Sequence, residues 1–206
     1  MASDPTSLPD RLQPPPGTDF AREYDVSIRV PDFAGSLAAW GVRGKEARAA
    51  HPAELDLRYG PAAAETLDLF LPAHGEGPHP LLVFIHGGFW KRLHKDDFSW
   101  IAPPFIERGI AVAVVNYGLA PATTLDEITA QTRRSIAWLY RKAAHYGIDA
   151  RRIVVSGHSA GGHLTCMAMA TDWPALAPDL PQHLVAAGIA LSPVVDLAPL
   201  ASVPVL

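Results

Sequence analysis

Apolar residues in this chain fall into two kinds of short run, and the contrast divides the sequence into regions. In "AELDLRYG", from Ala53, and "AETLDLFLP", from Ala64, apolar and polar residues alternate, which is the period of half-buried strands. The intervening "GPA" supplies a turn, so the two runs predict an antiparallel pair at a sheet edge. Beyond Gly77 the alternation stops. "LLVFI" (Leu81–Ile85), "IAVAVV" (Ile110–Val115), "RIVV" (Arg152–Val155) and "VAAGIAL" (Val185–Leu191) are continuous apolar runs, as expected of parallel strands buried on both faces.

Helical patterns lie between these runs, most clearly over Leu125–Tyr146. Thr124 and Glu127 read as a capping box, Asp126 and Glu127 sit at the positive end of the helix dipole, and Arg141 and Lys142 sit toward the negative end. Ile136, Leu139, Tyr140 and Ala143 share one face, for packing on a sheet, and Gly147 is placed to end the helix. Alternation of β and α elements predicts an α/β fold with a doubly wound, mostly parallel sheet. The opening "MASDPTSLPDRLQPPPGTD" has no apolar periodicity and many Pro and turn residues. It predicts a flexible leader over residues 1–20, with one domain over residues 21–206.

Composition narrows the function classes. A chain of 206 residues with 49% apolar and 18% charged residues is of globular type. Its net charge of -4 offers no basic field for nucleic acid. No apolar run is long enough to span a membrane, and no signal-like apolar core opens the chain. With Cys166 as the single cysteine, these features give a cytoplasmic reading. Cys166, in "HLTCMAMA", reads as a helix-packing residue.

Two motifs carry chemistry. Gly157-His158-Ser159-Ala160-Gly161 is a G-x-S-x-G sequence that follows the apolar run "RIVVS" and opens into a helical stretch, the strand–turn–helix context that a nucleophile elbow requires. Glycines at both ends remove the side chains that would collide where strand and helix cross. "HGGFW", His86–Trp90, likewise leaves the end of an apolar strand. Consecutive glycines let a backbone turn its N–H groups toward an oxyanion, so Gly87 and Gly88, with Phe89 beside them, are candidate donors along with the Ala160 N–H. No histidine falls in a metal-ligand pattern, and neither a metal nor a cofactor is expected.

"HGGFW", "NYGLAP" (Asn116–Pro121) and "GHSAGGHL" together resemble the α/β-hydrolase fold, and within it the kynurenine formamidase (arylformamidase) group and its esterase relatives. The resemblance runs from about Leu55 to Leu197. It implies that Ser159 attacks the acyl carbon of a small ester or amide. Gly87, Gly88 and Ala160 would stabilise the oxyanion, and Trp90, with Phe89, would lie near an aromatic substrate. It also implies an Asp after a seventh strand and a His after an eighth, and the sequence reads as six strands only.

The later Asp172, Asp179, Asp196, His163 and His183 do not replace those residues. His163 follows Ser159 by one helical turn, His183 and Asp179 suit local hydrogen bonding or solvent, and Asp196 lacks a histidine to orient. His94 reads as a solvated residue near the mouth. The sequence leaves two classes: a serine hydrolase that is C-terminally truncated, and a non-catalytic homologue acting in binding. "VAAGIAL" at the end of the sheet, followed by a tail without charge after Asp196, also predicts self-association through an exposed edge.

Overall fold

The computed structural model describes residues 14–203. Its elements are α1 (Phe20–Glu23), α2 (Phe33–Ala50), β1 (Ala53–Arg58), β2 (Thr66–Phe70), β3 (His79–Ile85), α3 (Pro103–Ile106), β4 (Ala111–Val115), α4 (Leu125–Lys142), β5 (Ile148–His158), α5 (Ala160–Met169), α6 (Trp173–Leu176) and β6 (Ala187–Leu191). Short 3₁₀ turns occur at Val26–Ile28, Lys95–Ile101 and Pro199–Ser202. Two compact units divide the chain: the described residues up to Phe33 with those from Asp196 onward, and a main unit Ala34–Val195. Residues 1–13 of the expected leader lie outside the described residues, and Asp19 caps α1.

The six strands form one mixed sheet in the order β1-β2-β4-β3-β5-β6. β1 and β2 are the antiparallel pair read from their alternation, and β2 continues antiparallel onto β4. The pairs β3–β4, β3–β5 and β5–β6 are parallel. Register sets where the connecting segments emerge, since Ile85 lies opposite both Val115 and Gly157. The segments after β3, β4 and β5 therefore leave the sheet at one level. These are "HGGFW", "NYGLAP" and the G-x-S-x-G turn, gathered at the carboxyl ends of parallel strands, where open α/β sheets hold their sites.

The core explains the continuous apolar runs. Phe70, Leu82, Phe84, Val112 and Val114 pack with Phe98, Ala102 and Ile106, all buried. α4 buries Ile136, Leu139 and the following Ala143, as its periodicity requires. The helix ends at Lys142, four residues before the expected Tyr146, and Gly147 with φ of 64° turns the chain into β5. Thr124 accepts from the Glu127 N–H, but the Glu127 carboxylate turns to Arg134 instead of closing the capping box.

Three further differences from the sequence reading have physical causes. α2 has no apolar stripe to reveal it; it buries small residues, Gly44 and Ala47, and a Cβ on Gly44 would collide with the Asp96 carbonyl. β5 runs from Ile148, well before the apolar "RIVV", because Ile148 already pairs with His79 at the start of β3, with a register irregularity before the regular pairing resumes at Ile153. β6 is not buried on both faces: Ile189 and Leu191 are 51% and 47% exposed. Among the described residues it pairs with β5 alone.

A buried ionic cluster ties the early strands to the segment after "HGGFW". Lys95 is fully buried, and its Nζ donates to Asp68 Oδ1 at 2.7 Å and Asp96 Oδ1 at 2.9 Å and pairs with Asp56 Oδ1 at 2.7 Å. Arg48 of α2 reaches Asp96 at 2.6 Å and Asp68 at 3.4 Å. Burial works to lower the Lys95 pKa, but hydrogen bonds to the three carboxylates outweigh it and leave it raised. The Lys95 N–H donates to Asn116 Oδ1 at 3.3 Å, joining this cluster to "NYGLAP".

Candidate active site

Ser159 stands between β5 and α5 with φ of 55° and ψ of -117°. This is a left-handed φ that a non-glycine residue holds at a cost of roughly 1–3 kcal/mol, and surrounding structure must enforce it. The enforcement is visible. A Cβ on Gly157 would overlap the Gly161 carbonyl, and one on Gly161 would overlap the Ile85 carbonyl, so only glycines let α5 cross so close to β3 and β5. The Ser159 N–H donates to the Leu191 carbonyl at 2.9 Å, and its own carbonyl accepts from His163 at 3.0 Å. Ser159 makes no side-chain cap bond, and first-turn N–H groups of a helix, Ala160's among them, have no intrahelical acceptor.

"HGGFW" faces this turn. A Cβ on Gly87 would lie 2.7 Å from the His158 carbonyl oxygen and 3.3 Å from Ser159 Cβ, so the Gly87 backbone is packed directly against the serine. Gly88 has φ of 105°, and Phe89, Trp90 and Leu93 have φ of 54°, 55° and 75°. The Gly88 carbonyl closes the loop by accepting from Lys91 and Arg92 N–H at 3.0 and 3.1 Å. Trp90 is tied to "NYGLAP" by the Ala120 N–H, which donates to its carbonyl at 2.8 Å. Phe89 is partly buried. The Trp90 ring is 5% exposed and meets the His163 ring edge-on at 5.3 Å, so it is packed against α5 rather than displayed on an open surface.

His86 anchors the base of this loop. Its ring lies between Tyr117 and Phe98 at centroid distances of 4.3 and 5.9 Å, its Nδ1 bonds the Gly87 carbonyl at 2.8 Å, and the Tyr117 hydroxyl donates to its carbonyl at 2.8 Å. Burial pushes its pKa down to about 4, against the opposing pull of the Gly87 hydrogen bond. An unfolded histidine titrates near 6.5, so the unfolded chain takes up the proton first as pH falls. His86 therefore contributes stability that is complete above about pH 6.5 and is lost as pH falls toward 4, about 3 kcal/mol in all. Burial lowers His158 and His163 in the same direction. Urea unfolding at pH 7.5 and 4.5 should show this loss, and His86→Phe should remove most of it; an unchanged pH slope in that variant would contradict the assignment.

The remaining candidates lie apart from the serine or have other partners. Asp179 forms a two-bond pair with Arg141 at 2.7 and 3.0 Å, not with the exposed His183. Asp196 accepts from the Ala198 N–H, and Asp172 caps α6. His94 caps the 3₁₀ turn at Lys95 and pairs with Asp96 at 3.3 Å. Among the described residues no carboxylate or imidazole is hydrogen-bonded to Ser159 Oγ, and no group of three His, Cys, Asp or Glu is placed to hold a metal ion. Cys166 is a half-buried free thiol on α5. Sequence reasoning did not find Lys95, Asp68 and Tyr117, which support the loop, because they converge from separate elements without a local pattern.

A family model described as BD-FAE matches residues 67–202, which include both motifs. The chain belongs to the BD-FAE family. Among curated relatives of this BD-FAE chain, kynurenine formamidase of Danio rerio is 35% identical over 63% of the chain and 43% of the relative. An isoprenylcysteine alpha-carbonyl methylesterase of Arabidopsis thaliana is 32% identical over 54% of the chain and 26% of the relative. The chain thus spans less than half the length of the curated relatives it matches. A solved structure from Silicibacter sp. assigned as a thioesterase superposes with a TM-score of 0.78 at 31% identity, covering 91% of this chain and 68% of that one. Thermogutta terrifontis esterase 2, phosphoramylated by tabun, superposes at 0.59 with 28% identity, over 71% of this chain and 58% of that one. The BD-FAE chain therefore has the α/β-hydrolase fold and falls in the formamidase-like and esterase group of hydrolases.

Proposed function

We propose that the protein is a serine hydrolase acting on a small carboxylic ester or formamide, an N-formylkynurenine-type substrate included, through an acyl-enzyme on Ser159. The observation that carries this reading is the packing of the Gly87 backbone against a Ser159 held at a left-handed φ. In the proposed cycle Ser159 Oγ attacks the acyl carbon while the N–H groups of Gly87, Gly88 and Ala160 receive the charge on its oxygen. Such preorganised donors act where charge develops and are worth about 3–4 kcal/mol each. Phe89 and Trp90 shape the substrate side of the loop. No metal or cofactor takes part in this reading.

Deprotonating Ser159 needs a base, and none of the described residues is hydrogen-bonded to its Oγ. Loss of the histidine in a serine hydrolase costs on the order of 10⁶ in kcat, about 8 kcal/mol, leaving the oxyanion donors and binding. The 206-residue chain is therefore expected to turn over p-nitrophenyl esters and N-formylkynurenine only slowly. Turnover of several per second, abolished in Ser159→Ala, would overturn this expectation and point to a base elsewhere in the chain. Binding of such substrates with no Ser159-dependent chemistry would favour a non-catalytic role.

The side of β6 that pairs with no strand among the described residues belongs to the same proposal as a self-association surface. Ile189 and Leu191 of β6 are 51% and 47% exposed, and an edge strand with a row of unpaired backbone groups templates pairing with another chain. Sedimentation velocity at micromolar concentration should show association that Ile189→Lys reduces. A monodisperse monomer in the parent chain would contradict it.

A further inference from the structure

The structure holds a second concave site that the proposed chemistry does not use. A cavity of about 320 Å³ opens along α4, lined by Arg133, Ala137, Trp138 and Arg141 on the helix and by Leu176 and Leu180 from α6 and the turn after it. These α4 positions recur at i, i+4, i+5 and i+8, and they form the face turned away from the stripe Ile136, Leu139 and Ala143 that packs into the core. The volume falls at the small end of the range for ligand pockets, roughly 300–1,000 Å³. On its apolar wall Leu176 is 51% exposed and Leu180 is buried at 3%.

Charge distinguishes the three arginines of this face. Arg134 is committed to the buried Glu65 at 2.7 Å and to Glu127. Arg141 is paired with Asp179 at the rim, where both side chains are about half exposed. Arg133 has no carboxylate partner among the described residues. Its Nε donates to Thr171 Oγ1 at 2.9 Å, and that hydroxyl in turn donates to the Met167 carbonyl at 2.6 Å. A guanidinium held in this way by its Nε keeps both terminal nitrogens for an incoming anion, and its planar fork suits a carboxylate. Trp138 lies five positions after Arg133 on the helix, about 7.5 Å along the axis. Both residues line the cavity, where Arg134 and Arg141 hold carboxylate partners and Arg133, among the described residues, does not.

We propose that this cavity binds an amphipathic monocarboxylate, its carboxylate on Arg133 and an apolar ring or branched chain against Trp138 and Leu176. The site is independent of Ser159, so it stands or falls apart from the hydrolase reading. A ligand of about ten heavy atoms on one charge-assisted contact is expected to bind with Kd on the order of 1 mM.

The probe is 3-phenylpropionate, compared with neutral 3-phenylpropanamide, titrated into the ¹⁵N-labelled 206-residue chain. The Trp138 indole cross-peak, identified by its absence in Trp138→Phe, should shift saturably with the acid. The amide should bind at least ~10-fold more weakly, the affinity of the acid should fall as salt is raised, and Ser159→Ala should leave the titration unchanged. Arg133→Gln should weaken the acid ~10-fold, as the loss of the anchoring charge. Leu176→Asp, a change at an exposed position, places a repelling carboxylate on the wall and should weaken it as much, so the outcome does not depend on one variant folding. Equal binding of acid and amide, wild-type affinity in either folded variant, or a Trp138 signal that stays still while that of Trp90 moves would each overturn the proposal.

Discussion

Asp68→Ala is expected to lower the unfolding free energy by about 3–5 kcal/mol, read from urea denaturation at neutral pH. Asp68 lies in the middle of β2 with no exposure, and its carboxylate takes the Lys95 ammonium at 2.7 Å, the Arg48 guanidinium at 3.4 Å and the Asp56 N–H at 2.9 Å. Removing it leaves a fully buried ammonium with Asp56 and Asp96, whose side chains are 63% and 42% exposed and so hold charge in a more water-like setting. The penalty comes from stranding a charge rather than from losing an attraction, because a buried ion pair in place is close to neutral against an apolar pair of the same shape. The double variant Asp68→Ala with Lys95→Met should therefore recover part of the loss. A cost below ~1 kcal/mol for Asp68→Ala would show that water reaches Lys95 and that the cluster does not hold the segment.

Gly88→Val is expected to slow acylation of Ser159 by a factor of ~10² or more while leaving the chain folded. Gly88 occupies φ of 105°, a conformation that β-branched residues do not adopt without strain. A side chain there would also overlap the Arg92 carbonyl later in the loop. Relief of that clash must rotate the peptide units of Gly87 and Gly88, which carry the N–H groups assigned to the oxyanion. Comparison of acylation rates at matched folded fraction separates this from simple destabilisation. A variant that acylates at the parent rate would remove "HGGFW" from the mechanism.

The sheet was legible because its strands declare themselves in two ways. Alternation in "AELDLRYG" and "AETLDLFLP" marked the antiparallel pair, although β2, flanked by β1 and β4, is buried at all five positions instead of half-buried, and continuous apolar runs marked β3 and β4, which are covered on both faces. β6 had the same apolar signature but sits at the margin of the sheet, since composition reports what a strand can bury and not how many neighbours it has. α2 escaped detection because it packs through Gly44 and Ala47, residues that carry no periodic signal. The serine and its facing glycines were readable from short local motifs whose spacing has a steric cause. The supports of that loop were not: Lys95 meets Asp68 across 27 positions and Tyr117 meets His86 across 31, contacts that only the strand register creates. Trp90, which the resemblance places near an aromatic substrate, meets His163 edge-on at 5.3 Å, a contact between two elements that no local pattern announces.

Stoichiometric acylation tests most directly whether Ser159 is the nucleophile. p-Nitrophenyl acetate is an activated ester and acetyl-serine is not, so with no base positioned for either step the serine should acylate slowly and then retain the acetyl group. After prolonged incubation of the 206-residue chain and proteolytic digestion, mass spectrometry should find acetyl on Ser159 at near one equivalent. The modification should be absent in Ser159→Ala and strongly reduced in Gly88→Val. Acetyl groups spread over lysines equally in the parent and in Ser159→Ala, with Ser159 itself unmodified, would contradict the assignment.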